Sequence, residues 1–138
     1  MLAPASVSDF RTLAEKRLPR VLFDYVDGGA FEEQTLVANI ADLKRIGLKQ
    51  KVLRDVSTID TSTTLFGTNL SLPLILAPVG FGGMMARRAE VLAARAAEAT
   101  GIVFSLSTVS ICSIEEVRAA TAQPFWFQLY MMKDRGVE

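Results

Sequence analysis

The chain has 138 residues, half of them hydrophobic, so one ordinary domain with a sizeable core is possible on length alone. Fifteen basic residues balance fifteen acidic ones with no run of like charge, which argues against an electrostatic nucleic-acid binder. The single cysteine, Cys112, excludes an internal disulfide framework and reads as a buried structural thiol. The absence of histidine removes the usual general base and the common His-containing zinc sites, so no metal site is expected.

Met1 to Ser6 lacks the basic-then-apolar pattern of a secretory signal. Ser6 and Asp9 have the spacing of a capping pair, and Phe10, Leu13 and Leu18 follow at near-helical intervals. Pro19 breaks that helix and opens a second, whose apolar stripe is Val21, Leu22, Tyr25 and Val26. Gly28-Gly29 ends it. A third helix is expected from Phe31 to about Arg45, with Glu32 and Glu33 at its positive end, Lys44 and Arg45 at its negative end, and Gly47 as its cap.

Leu48 to Leu53 alternates and reads as a strand, and Leu65 to Leu70 as a small hairpin around Gly67. The most apolar stretch, Leu70 to Ala86, is broken by Pro73, Pro78, Gly80, Gly82 and Gly83. It is shorter than the ~20 residues of a membrane span. From Leu72 the pattern becomes βαβαβ. Its strands are Leu74–Ala77, Ile102–Leu106 and Phe125–Tyr130, and its helices Arg88–Thr100 and Ser113–Thr121. Asp134 is placed to cap a further helix. The fold class is α/β, with parallel strands whose C-terminal ends share one site. The domain division is 1–71 for the helical and hairpin segment and 72–138 for the first three βα units. A closed barrel takes ~250 residues, so this one is incomplete.

Period-two alternation puts Trp126, Gln128 and Tyr130 on one strand face, where two polar tips need partners. Gln128 offers both donor and acceptor, which suits the edge of a heterocycle. Ser107 closes the second strand, and its hydroxyl can bond either a ligand or neighbouring backbone. Pro78-Val79-Gly80 is either a tight turn or a stretch of backbone against which a flat ligand lies. Tyr25 is either a core tyrosine or a ligand group. Arg87-Arg88 reads as a solvated helix start more readily than as an anion site.

These segments closely resemble the FMN-dependent 2-hydroxy acid dehydrogenase and oxidase family over about Ser8 to Val137. The resemblance rests on Phe23-Asp24-Tyr25 with Gly28-Gly29-Ala30, on Leu76-Ala77-Pro78-Val79-Gly80, and on Leu106-Ser107-Thr108-Val109-Ser110. It extends to Trp126-Phe127-Gln128-Leu129-Tyr130 and Lys133-Asp134-Arg135. The Ser107–Ser110 run and Arg87-Arg88-Ala89-Glu90 look most like its quinone-linked, bacterial L-lactate dehydrogenase branch.

The resemblance implies the N-terminal portion of an FMN-binding (βα)8 TIM barrel, with the backbone of Pro78, Val79 and Gly80 lining the flavin. It implies Ser107 and Gln128 as hydrogen-bonding partners of the flavin ring. Tyr25 and Tyr130 are implied as contacts to the substrate carboxylate and hydroxyl. Plant glycolate oxidases carry Trp where this chain has Val109, and many oxidases carry Ala where it has Gly80. The family's catalytic histidine, its carboxylate-binding arginine and its flavin lysine come from later strands.

The implied activity is oxidation of L-lactate to pyruvate, with a quinone or cytochrome as electron acceptor and a homo-oligomeric complete enzyme. The location is cytoplasmic, or peripheral on the inner face of the cell membrane. The 138 residues alone are expected to be inactive. The rival expectations are a non-catalytic truncated barrel fragment and an O2-using oxidase.

Overall fold

The computed structural model of the chain describes residues 3–133 and Gly136. It divides into two compact units, one ending at Ser57 and the other beginning at Thr58. The helix expected at Asp134 lies outside the described residues.

In the first unit, helix α1 spans Val7–Arg17, α2 spans Arg20–Asp27 and α3 spans Gln34–Arg45. The Asp9 carboxylate accepts the N–H groups of Ala5 and Ser6, both at 2.9 Å, which satisfies donors that a helix start leaves unpaired. Leu18 is extended ahead of Pro19, as a residue before proline prefers. The Pro19 carbonyl then accepts from Leu22 and Phe23 to start α2. Arg11 joins α1 to α2: its Nη2 lies 2.6 Å from an Asp27 oxygen and its guanidinium lies over the Phe23 ring.

Three expectations fail in this unit. Helix α3 starts at Gln34 and not Phe31, because Phe31 and Glu33 take left-handed backbone with φ of 53° and 58°. Gly47 does not cap it; α3 closes on Ile46, which is extended. Leu48–Leu53 forms no strand among the described residues. Alternation supplies a face but no neighbour to pair with, and Leu53 adopts φ 56°.

In the second unit a hairpin pairs β1 (Thr63–Leu65) with β2 (Thr68–Leu70) around Phe66-Gly67, both with positive φ. The hairpin belongs with this unit, although the sequence grouped it with residues 1–71. Leu70 is buried, the Ser71 N–H donates to the Gly101 carbonyl at 2.9 Å, and the Phe66 ring stands 5.8 Å from that of Trp126.

The remaining strands are β3 (Ile75–Leu76), β4 (Val103–Ser107) and β5 (Trp126–Gln128), parallel and in the order β3-β4-β5. Between β3 and β4 come a short helix α4 (Gly82–Met85), unforeseen in the sequence, and α5 (Ala89–Thr100). Between β4 and β5 comes α6 (Ile114–Arg118). Gly101 ends α5 in the left-handed conformation, where a side chain would also strike Ser71 Oγ at 2.9 Å.

Helix α6 starts with a reciprocal capping box. Ser113 Oγ accepts from the Glu116 N–H at 3.2 Å, and a Glu116 oxygen accepts from the Ser113 N–H at 3.0 Å. Every residue of β4 is buried. The core joins Val91, Ala94 and Ala97 of α5, Phe104 and Leu106 of β4, Val117 of α6, and Ile102 and Cys112. Small alanines let α5 approach the sheet closely.

Candidate functional site

Parallel pairing sets the C-terminal ends of β3, β4 and β5 side by side. Ser107 and Gln128 are register partners, and Ser107 Oγ lies 3.3 Å from Gln128 Oε1. Gly80 flanks Ser107 on the other side: a Cβ there would be 4.0 Å from Ser107 Oγ and 2.8 Å from Val109 Cγ2. The sequence-predicted residues Gly80, Ser107 and Gln128 therefore form one row across three strand ends. Pro78 and Val79 lie just before the row with exposed side chains.

Ser107 is 3 % exposed, and its oxygen accepts the Val109 N–H at 3.2 Å, so it fixes the turn that leaves β4. Gln128 is half-buried. Among the described residues its amide nitrogen has no hydrogen-bond partner, so a donor remains available at the strand end. Outside the strand ladder, no hydrogen bond among the described residues uses the N–H of Val79 or Gly80.

Tyr130 was expected on the strand face, but β5 ends at Gln128 and Tyr130 follows it, half-exposed. Thr108 sets its place. The Thr108 hydroxyl donates to the Gln128 carbonyl and accepts the Tyr130 N–H at 3.0 Å. Tyr25 belongs to α2 of the first unit, where it is 61 % exposed and not a core residue. Arg88 pairs with Glu116 at 3.2 Å, joining the starts of α5 and α6.

Two residues went unassigned in the sequence. Thr108 was visible only as part of a motif. Glu90 has the stronger signal, because it shares a helix face with Ala94 and Ala97, where a carboxylate needs a reason. It is 4 % exposed, and Oε1 accepts the N–H groups of Gly83 and Ile111, both at 3.0 Å. Burial works to raise its carboxyl. The N–H donors of Ile111, of its own helix start and of Gly83 outweigh burial and hold it below the usual range. Burial first, and the neighbouring Glu90 carboxylate second, push the Cys112 thiol up.

Residues 14–138 match the family described as FMN-dependent dehydrogenase. An L-lactate dehydrogenase from Caulobacter vibrioides (strain NA1000 / CB15N) is 61% identical over 132 residues, which are 96% of this chain and 34% of that protein. An L-lactate dehydrogenase from Haemophilus influenzae (strain PittEE) is 58% identical over 132 residues, 96% of this chain and 35% of that protein. The chain thus spans about a third of the length of the curated relatives it matches.

Among solved structures, a mandelate oxidase with 2-hydroxy-phenylacetamide superposes with a TM-score of 0.89 at 34% identity, over 98% of this chain and 40% of that one. A soluble mutant of the membrane-associated (S)-mandelate dehydrogenase from Pseudomonas putida gives 0.85 at 38% identity, over 91% and 36%. The fold is accordingly part of an FMN-binding α/β barrel. The row at the strand ends is compatible with a flavin edge: Gly80 packs against Val109, Ser107 donates to Gln128 Oε1, and among the described residues the half-buried Gln128 keeps its amide nitrogen without a hydrogen-bond partner. No helix among the described residues is long and apolar enough to cross a membrane.

Proposed function

Because the chain belongs to the FMN-dependent dehydrogenase family, we propose that it is the N-terminal part of an L-lactate dehydrogenase oxidising L-lactate to pyruvate. The observation that carries the reading is the 61% identity over 96% of the chain to a protein of that name. When bound, FMN supplies a two-electron acceptor. The residues of this chain bind and orient. Ser107 and Gln128 would hold the heteroatom edge of the ring, and the backbone of Pro78, Val79 and Gly80 would line it. Tyr130, just after β5, would contact the substrate carboxylate or hydroxyl.

The family resemblance implies a histidine that takes the substrate hydroxyl proton; none occurs in these 138 residues, so that histidine would belong to another part of the enzyme. A quinone or cytochrome takes the electrons. The complete enzyme is a homo-oligomer that acts in the cytoplasm or on the inner membrane face.

The test uses the full-length protein that carries this segment, loaded with FMN and mixed anaerobically with L-lactate, glycolate or (S)-mandelate. L-lactate should bleach the flavin fastest, and a quinone should restore its colour faster than oxygen does. Fastest bleaching by mandelate would overturn the substrate, and stoichiometric peroxide in air would establish an oxidase instead.

A further inference from the structure

Glu90 is buried, and no hydrogen bond joins it to Ser107 or Gln128, so the flavin contacts give it no work. One of its oxygens holds two connections. Oε1 accepts the N–H of Gly83, in α4 of the connection after β3, and the N–H of Ile111, in the loop after β4. Oε2 is buried with no hydrogen-bond partner among the described residues.

The same two connections are stitched at two further points. The Phe81 N–H donates to the Val109 carbonyl at 2.9 Å, and Gly83 lies so near Ile111 that an added Cβ would fall 2.6 Å from its Cβ. Val109 in turn donates to Ser107 Oγ, and Gly80 packs on the Val109 side chain. A continuous set of contacts thus runs from Glu90 through Gly83, Phe81 and Val109 to Gly80 and Ser107.

We propose that Glu90 is a positioning residue whose carboxylate sets the Pro78–Gly80 backbone against Ser107, so that both meet one flat ring. The inference rests on the flavin site assigned above. Length matters as well as acceptor character, because one oxygen must reach both N–H groups. Gln keeps that reach and Asp does not.

The experiment compares E90A, E90D and E90Q with V117A in the full-length protein. Val117 is fully buried but takes no part in the loop contacts. FMN affinity is read by quenching of flavin fluorescence, and ring placement by visible circular dichroism of the bound flavin. E90A and E90D should weaken FMN at least tenfold and change the dichroism. E90Q should stay within about threefold of the parent. V117A should melt at lower temperature yet bind FMN within twofold, with an unchanged spectrum.

If E90A does not fold, the contrast between E90D and E90Q carries the test. Equal affinity and spectra for E90D and the parent would overturn the proposal, as would a V117A loss matching that of E90D. A parent protein that binds no FMN would instead overturn the flavin site itself.

Discussion

The two units use similar helices to different ends. In the first, α1, α2 and α3 have no buried residue, and Phe10, Val21, Tyr25 and Leu43 are all more than half exposed. In the second, α5 alone buries Glu90, Val91, Ala94 and Ala97. The contrast teaches that an amphipathic pattern specifies which face of a helix is apolar, not what covers that face. Helices of eight to twelve residues hold little stability without such cover. The first unit is organised by caps and the Arg11–Asp27 pair, the second by a core around β4.

The contrast would break most visibly at a core leucine. Leu106 has no exposed surface, so L106A in the 138-residue chain should cost about 2–5 kcal/mol in urea unfolding. Phe10 is 60 % exposed, and F10A should cost within about 0.5 kcal/mol. Equal costs would mean that the first unit has a core of its own.

A smaller effect separates two glycines. G83A forces a Cβ to within 2.6 Å of Ile111 Cβ and should cost about 1–3 kcal/mol through overpacking. Gly47 has nothing within 4 Å of an added Cβ, so G47A should be neutral or slightly stabilising. The comparison fails if the two midpoints move alike.

The smallest effect is in pH. Hydrogen bonding to Arg11 holds the Asp27 carboxyl below its ordinary range, and Glu90 is also lowered on balance. Lowered carboxyls stabilise above the ordinary range, and that contribution disappears as pH falls through their folded-state values. E90A should therefore narrow the stability difference between pH 7 and pH 3. D27A should narrow it less, and added salt should erase the D27A effect, since that pair is exposed. A salt-insensitive Asp27 contribution would sink that distinction.

Much of the fold was legible because its signals were local. Ser6/Asp9 and Ser113/Glu116 announced helix starts, Pro19 a break, and apolar runs the three parallel strands. Leu48–Leu53 misled because alternation cannot reveal whether a neighbouring strand exists. The start of α3 misled because acidic residues favour a helix entrance without excluding left-handed backbone at Phe31 and Glu33. The hairpin was found but assigned to the wrong unit, since its bonds from Ser71 to Thr100 and Gly101 join residues about thirty positions apart.

At the site, the row of Gly80, Ser107 and Gln128 was foreseeable from strand ends, which parallel pairing brings together. Glu90 was hidden because its partners are main-chain N–H groups, which no side-chain pattern records.

Cys112 gives this arrangement a clock. Its thiol is 5 % exposed and held protonated by burial and by the neighbouring Glu90 carboxylate, so an alkylating reagent meets little thiolate while the loops stay stitched. Labelling must then wait for a local opening, and its rate counts how often the segment around Ile111 comes undone. A residue with no assigned chemistry thereby becomes the molecule's own gauge of how firmly its strand-end loops are fastened.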